Sequence, residues 1–139
     1  MAIDATSSSW RGDLRDANDG QPVDVVIDPV GGEATEPAFR ALAWNGRHLV
    51  IGFVGGGISK LPTNLPLLKG AALIGVDVRQ FALREPRQAA ENMASLLNLH
   101  ALHDLRPAIG STFALEQFAE AMQLAASGQT LGRVILTMT

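Results

Sequence analysis

The chain is 139 residues long, a length that suits one domain with a core of its own. Its formal net charge of −3 and lack of any basic run argue against nucleic-acid binding, and the absence of cysteine excludes disulfides and thiolate zinc sites. No apolar stretch approaches the roughly 20 residues of a membrane span and no signal-peptide pattern is present, so we expect a cytoplasmic protein. Charged residues make up only 18% of the chain, against about 25% in typical domains, which predicts that part of the surface meets another protein.

The first predicted element is a short helix. Trp10, Leu14 and Ala17 are spaced four and three apart, which places them on one helical face, and the serines at 7–9 can act as N-caps. The sequence NDGQP at 18–22 then predicts a turn that ends the helix.

A short β-branched run, VDVVI at 23–27, predicts a strand that is buried on both faces. Asp28, Pro29, Val30 and two glycines follow it at once. In parallel α/β sheets, ligands bind outside the carboxyl ends of the strands. The residues after this strand therefore mark one edge of a candidate binding site.

The same plan repeats downstream. The pattern predicts a helix at 38–43 that stops at Asn45-Gly46, a strand at Arg47–Val54, a helix from Thr63 to Gly70 and a strand at Ala71–Val78. Alternating strands and helices predict right-handed crossovers and a parallel sheet, and hence the α/β class.

After Arg79 the pattern changes. The predicted elements are a long helix that begins at Pro86, an extended segment at Leu105–Phe113, a helix from Leu115 to Ala126 that Gly128 ends, and a strand at Arg133–Met138. Each helix has an apolar stripe, which indicates that it packs by one face.

Two histidines, His100 and His103, raise the question of a metal site. Three positions apart, they would lie on one helical face, but the sequence shows no third ligand near them. We therefore predict no metal site.

Four blocks of sequence, in this order and spacing, resemble the C-terminal portion of the zinc-independent quinone oxidoreductases of the medium-chain dehydrogenase/reductase superfamily. The blocks are VDVVIDPVGG at 23–32, FRALAWNGRHLVIGF at 39–53, LPTNLPLLKGAALIGVDV at 61–78 and FALEQFAEAMQLAASGQTLGRVILTM at 113–138.

The resemblance implies a two-part organisation. In that family a catalytic domain precedes a Rossmann domain, and the chain then returns to complete the catalytic domain. Residues 1–79 would form the second half of an incomplete Rossmann-type parallel sheet, with Ile3 in its third strand, and residues 80–139 would be the return segment. The family's glycine-rich loop, G-x-G-x-x-G, does not occur in these 139 residues.

The resemblance also implies a nicotinamide cofactor, NADPH, in the complete parent enzyme, bound weakly or not at all by this chain. The residues that it assigns are Phe53, Val54 and Gly55 against the nicotinamide and its ribose, Gly75, Val76 and Asp77 facing the carboxamide, and Asp28, Val30 and Gly31 toward the adenosine. Each segment has a structural alternative, namely a strand-to-helix turn, a dimer edge, and a helix cap, respectively.

The sequence assigns no catalytic residue. Asp28 is the most tempting acid, but a lone carboxylate at a strand end, without a visible His or Lys partner, is more often a cap or a turn former. Hydride transfer in the family relies on the chemistry of the cofactor, which the protein orients.

Two strand edges predict protein partners. In the strand order 3-2-1-4-5-6 of the Rossmann fold, the strand at 23–27 would be the fourth and would have an open edge. Such an edge favours pairing, so we expect the missing N-terminal half of the parent enzyme or an oligomer to cover it. The strand at Ala71–Val78 would be the sixth, and the resemblance implies a homodimer through it.

Three functions remain open at this point. The resemblance implies an oxidoreductase that passes hydride from NADPH to a quinone or an activated alkene such as an enone, with this segment inactive by itself. The second is a dimerising α/β module that has no turnover and retains residual nucleotide binding. The third is a related enoyl or alcohol reductase of the same superfamily.

Overall fold

The computed structural model describes residues 2–103 and 105–138, without the side chain of His103. The chain divides into two compact units, at residues 1–81 and 82–139. The division falls two residues after the predicted one at 79 and 80.

The first unit contains a three-stranded parallel sheet in the order β1-β2-β3. Its elements are α1 (Trp10–Ala17), β1 (Val23–Asp28), α2 (Thr35–Arg40), β2 (Leu42–Val50), α3 (Asn64–Lys69) and β3 (Ala72–Gly75), with a 3-10 turn at Gly32–Ala34; α4 (Val78–Arg84) continues into the second unit. This confirms the α/β class and the parallel sheet.

The strand β2 begins before Arg47, where the predicted strand starts, and a bulge at 43–46 shifts the register of its pairing with β1. Asn45 in this bulge has a φ of +61°, the left-handed conformation that the sequence predicts, but it lies within a strand rather than at a helix end. The predicted helix at 38–43 is wrong in its last part, because Leu42 already belongs to β2. Leu42 is 1% exposed, so its burial in the core outweighs its helical spacing.

The third strand is shorter than the predicted range Ala71–Val78. It ends at Gly75, and α4, which the sequence analysis did not predict, begins at Val78. The Asp77 carboxylate accepts a hydrogen bond from the Gln80 backbone N–H at 2.9 Å, which caps this helix. The strand implied for Ile3 is also wrong, since residues 2–4 form no strand.

The core of the first unit lies around the sheet and the two helices that connect its strands. Its buried apolar side chains are Phe39, Leu42, Leu65 and Ala71, with Val23, Val26 and Leu61 packed against them. Gly70 ends α3 with a φ of +55°, as predicted for a helix that stops there.

The second unit contains a two-stranded parallel sheet. Its elements are α5 (Pro86–His103), β4 (Ile109–Ala114), a 3-10 turn at Leu115–Gln117, α6 (Phe118–Ser127) and β5 (Arg133–Thr137). Gly128, with a φ of +68°, ends α6 as predicted. Within the described residues, no helix is both long enough and apolar enough to cross a membrane.

The core position of Leu42 predicts a large effect on stability. We expect Leu42→Ala to lower the free energy of unfolding by about 2–5 kcal/mol, because the substitution removes buried methyl groups and leaves a cavity. Leu67, which is 79% exposed in α3, offers a matched control, for which we expect a change within about 0.5 kcal/mol. Urea unfolding followed by circular dichroism measures both. Equal losses for the two variants would contradict this core.

Candidate functional site

The carboxyl ends of the three parallel strands lie along one edge of the sheet. The Ile51 N–H donates to the Asp28 carbonyl oxygen at 2.9 Å, and the Val76 N–H donates to the Val50 carbonyl oxygen at 2.9 Å. The segments that follow the strands are therefore neighbours. We call residues 28–31, 51–55 and 75–77 the carboxyl edge.

Two of these segments are bonded to each other through their backbones. The Val54 N–H donates to the Pro29 carbonyl oxygen at 3.1 Å, and the Gly55 N–H donates to the Val30 carbonyl oxygen at 2.8 Å. A Cβ on Gly55 would lie 2.9 Å from that same Val30 oxygen, too close for any side chain. Glycine at 55 thus permits the contact between the two turns.

Gly31 serves the same contact from the other side. Its φ is +69°, a conformation that favours glycine, and a Cβ there would lie 2.8 Å from Cδ1 of Phe53. The phenyl ring of Phe53 therefore rests against the backbone of Gly31. The turn after β1 and the turn after β2 form one packed surface.

The Asp28 carboxylate holds the first of these turns in place. Its Oδ1 accepts hydrogen bonds from the backbone N–H groups of Val30 at 3.0 Å and Gly31 at 2.8 Å. Its Oδ2 accepts from the Thr35 hydroxyl at 2.8 Å and contacts His48 Nε2 at 3.0 Å. Both oxygens are engaged within the protein, which supports the interpretation of Asp28 as a turn former.

His48 is the partner that sequence reasoning missed, so the expectation that Asp28 lacks a histidine neighbour is wrong. It lies opposite Val26 in the β1–β2 register, and Val26 and Asp28 share one face of β1 because side chains alternate along a strand. The alternation of side chains along the two strands could have paired Asp28 with His48. That inference requires the register between β1 and β2, which the bulge at 43–46 shifts.

The histidine is fully buried and stacks on Phe39 with ring centroids 5.9 Å apart. An ionised carboxylate can only accept, so Nε2 carries the proton in the bond to Asp28. The other ring nitrogen, Nδ1, is buried and has no hydrogen-bond partner among the residues that the structure describes.

Burial raises the pKa of Asp28, but hydrogen bonds from Gly31, Thr35, His48 and Val30 together hold that pKa below its ordinary value. The carboxylate is therefore ionised at neutral pH. An ionised, fully bonded carboxylate is a structural anchor and a poor candidate for a general base.

The network extends to the loop that returns from β2. The hydroxyls of Thr35 and Ser59 lie 2.6 Å apart. This contact joins the start of α2 to the far end of the loop that carries Phe53. The loop is thus held at both ends, by the turn after β1 and by Ser59.

Apart from the exposed carboxylate of Asp77, the exposed side chains of the carboxyl edge are apolar. Val30 is 43% exposed and Phe53 is 46% exposed. Phe53 lines an open cleft of about 700 Å³ together with Gly75, Val76, Asp77 and, at its rim, Arg79, which sequence reasoning did not single out. A Cβ on Gly75 would meet nothing within 4 Å, so the backbone there is open to a ligand.

Six of the nine predicted cofactor residues line two separate clefts, and Gly31, Val54 and Gly55 line neither of these two. Asp28 and Val30 line an apolar groove of about 380 Å³ that Trp10 and the exposed Ile27 of β1 also border. The groups assigned to the nicotinamide side and to the adenosine side therefore lie on the same sheet edge but face different spaces.

Within the parts of the chain that the structure describes, no three histidine, aspartate or glutamate side chains are grouped to hold a metal ion. His100 Nδ1 contacts the carbonyl oxygen of Leu105. The side chain of His103 lies outside the described residues, so the histidine pair is not tested as a pair.

A family model and several curated proteins are similar to this chain. A family model described as "Zinc-binding dehydrogenase" matches residues 1–136. Quinone oxidoreductase-like protein 2 of Bos taurus is 34% identical over 116 residues, which cover 84% of this chain and 33% of that protein. The chain spans about a third of the length of the quinone oxidoreductase-like relatives that it matches.

Two crystal structures share the fold. A "probable oxidoreductase" from Mycobacterium abscessus, 32% identical, aligns with a TM-score of 0.76 over 95% of this chain and 38% of its own. A mycobacterial protein in complex with NADPH, 21% identical, also has a TM-score of 0.76, over 92% of this chain and 40% of its own.

The Asp28 network predicts a specific change in the pH dependence of stability. Because folding lowers the pKa of Asp28, the ionised carboxylate stabilises the folded chain above its unfolded pKa of about 3.9. That contribution is lost as the pH falls through the lower, folded pKa. We expect Asp28→Asn to lower the free energy of unfolding at neutral pH by about 1–3 kcal/mol and to reduce the loss of stability in acid.

Urea unfolding between neutral pH and the acid limit measures this effect. Asp24→Asn is the matched control, because Asp24 is an exposed carboxylate on the same strand. An unchanged acid dependence in Asp28→Asn would show that Asp28 is not the stabilising carboxylate.

Proposed function

Because this chain belongs to the zinc-binding dehydrogenase family, whose relatives include quinone oxidoreductase-like proteins, we propose that it takes part in hydride transfer between NADPH and a quinone or an enone. Its relatives are about three times as long. We therefore propose that the chain supplies one wall of the cofactor crevice and is inactive by itself.

The observation that carries the proposal is the packed surface of the carboxyl edge. Phe53 and Val76 offer apolar contact to a flat ring, and the bare backbone at Gly75 leaves room for it beside them. An open cleft with these walls fits a nicotinamide ring and its carboxamide. The Val30 groove, on the same edge, is the proposed place of the adenosine side.

In this reaction NADPH supplies the hydride, and the residues of this chain bind and orient it. Phe53, whose ring lies against Gly31, would contact the nicotinamide ring, and the apolar walls of the cleft would help to exclude water from it. No proton transfer is assigned to the edge, because the Asp28 oxygens are engaged within the fold and Asp77 caps α4.

The description of the family model names zinc, but the residues do not fit a zinc site. The sequence has no cysteine, and the described residues contain no cluster of three possible ligands. We therefore assign no zinc ligand to the described residues of this chain and derive no step through a metal; a zinc-free reaction is what the resemblance to zinc-independent quinone oxidoreductases implies.

Two partners complete this proposal. The edge strand β3 exposes Leu73 at 46% and Ile74 at 38%, which suits pairing with a second copy in a homodimer. The other edge strand, β1, exposes Val25 at 39% and Ile27 at 64%. The N-terminal half of an oxidoreductase chain would cover that edge.

A second candidate function is a dimerising α/β module with residual nucleotide binding and no turnover. The absence of G-x-G-x-x-G from the 139 residues favours it, because that loop holds the pyrophosphate of a dinucleotide on a helix N-terminus. An enoyl or alcohol reductase of the same superfamily would use the same edge with another substrate.

Titration with the two separate halves of the cofactor tests which half each cleft binds. In NMR titrations of the labelled chain, we expect reduced nicotinamide mononucleotide to shift the amide signals of Phe53, Val54 and Gly75–Asp77, and adenosine monophosphate to shift those of Val30 and Gly31. We expect Gly55→Ala to weaken the first effect, because its Cβ would displace the Val30 carbonyl.

Gly57→Ala is the control, since a Cβ there would make only an ordinary contact, at 3.7 Å, with Gly32. Nucleotide shifts confined to other regions would contradict the assignment. Consumption of NADPH by the chain alone, with a quinone or an enone, would contradict its role as one wall only.

The proposed dimer predicts a mass that depends on β3. Light scattering after size-exclusion chromatography of concentrated protein should give the mass of two chains, and Leu73→Glu should reduce it to one. Leu67→Glu, at a position 79% exposed in α3, should leave the dimer intact. A monomer at every concentration would rule out this interface.

A further inference from the structure

At the opposite end of the sheet, the amino ends of β1 and β2 border a second pocket, of about 260 Å³. Four cationic side chains line it, those of Arg11, Arg15, Arg40 and Lys69, and no carboxylate does. The whole chain has 11 lysines and arginines and a net charge of −3, so four cations around one small space are a marked local excess. We call this space the amino-end pocket.

Three of the cations have a structural reason to be there. Arg15, Arg40 and Lys69 stand in the last turns of α1, α2 and α3, where a positive charge interacts favourably with the helix dipole. Arg15 Nε donates to the Gly20 carbonyl oxygen at 3.1 Å, and Lys69 Nζ donates to the Leu42 carbonyl oxygen at 2.7 Å. These bonds occupy one of the five donors of Arg15 and one of the three donors of Lys69. Arg40 is paired with Glu36, to whose Oε1 its Nε and Nη2 donate at 2.9 Å and 2.6 Å.

Arg11 has no such reason. It is the second residue of α1, where the helix dipole disfavours a cation, and it stands four residues before Arg15, a like-charge spacing that destabilises a helix. None of the ion pairs found among the described residues involves it. A bound anion between the two guanidinium groups would remove both penalties.

Trp44 supplies an aromatic wall to the same pocket. It is 70% exposed, yet its ring lies against Gly70, where a Cβ would be 3.1 Å from two ring carbons. In the amide orientation that satisfies both groups, Asn45 Oδ1 accepts from Trp44 Nε1 at 3.2 Å and Asn45 Nδ2 donates to the Gly70 carbonyl oxygen at 3.3 Å. In that orientation a hydrogen bond and the contact with Gly70 favour the observed position of the exposed indole.

We propose that the amino-end pocket binds a small organic phosphate that carries one flat ring. Guanidinium groups bind phosphate oxygens in pairs, and the exposed indole face offers stacking to the ring. The pocket lies just below the roughly 300–1,000 Å³ of sites that take drug-sized ligands, so the ligand is small. This site is separate from the carboxyl edge and does not depend on the proposed hydride transfer.

Phenyl phosphate, inorganic phosphate and phenol test the proposal on the intact 139-residue chain. We expect calorimetry to show saturable binding of phenyl phosphate, weaker binding of inorganic phosphate, and no binding of phenol. In NMR spectra, phenyl phosphate should move the indole N–H signal of Trp44 and leave that of Trp10 in place. Trp44→Phe identifies the two signals.

Arg11→Gln is the decisive variant, because removing a cation from the first turn of α1 should not destabilise the helix. We expect it to raise the Kd for phenyl phosphate about tenfold with an unchanged melting temperature. Arg87→Gln is the matched control, since Arg87 is an exposed arginine of α5 in the other unit and does not line the pocket.

Three results would each overturn the proposal. The first is no saturable binding of phenyl phosphate up to about 10 mM. The second is an equal loss in Arg11→Gln and Arg87→Gln, which would indicate charge attraction without a site. The third is equal affinity for phenyl phosphate and inorganic phosphate, which would remove the ring from the ligand.

Discussion

The carboxylate of Asp28 is the interaction on which the described site depends. It stands at the end of β1 and accepts hydrogen bonds from the turn that follows and from the start of α2, and it binds the buried His48 of β2. A buried charge is stable only when such partners surround it, and here they come from three separate elements. The geometry of the turn after β1 is therefore coupled to the pairing of the two strands. Gly31 of this turn contacts the ring of Phe53, so the turn also positions the surface that we propose for the nicotinamide.

The parallel sheet explains why chemically different groups collect at its two ends. All the strands end at one edge, so the turns with small and apolar residues come together there. The helix that precedes each strand has its carboxyl-terminal turn at the opposite end of the sheet, where Arg15, Arg40 and Lys69 come together. One edge offers backbone and apolar surface to a flat ring, and the other offers positive charge. Cations at the ends of helices are ordinary, but the amino-end pocket also contains Arg11 and Trp44, which the helix dipoles do not explain.

Local patterns predicted much of the fold. Apolar runs bounded by glycine located all three strands of the first sheet, and Gly70 and Gly128 ended their helices as expected, because a left-handed residue at a helix end is a local requirement. The failures have non-local causes. Leu42 joins β2 because the core buries it, and β3 stops at Gly75 because Asp77 starts a new helix. The contact of His48 with Asp28 was not predicted, because the two residues are 20 positions apart and the bulge at 43–46 shifts the register between their strands.

The sequence by itself determined the α/β class, the family, and the order of strands and helices except for α4 and the strand implied at Ile3, since these depend on periodicity, on helix-ending glycines and on four blocks at a set spacing. It also located the segments of the carboxyl edge, because each follows a strand. Only the tertiary structure decided which side chains meet. The engagement of Asp28 with His48, the contact of Phe53 with Gly31, and the four cations around Trp44 all join residues that are distant in the chain. Such contacts depend on strand register and packing, which no local pattern encodes.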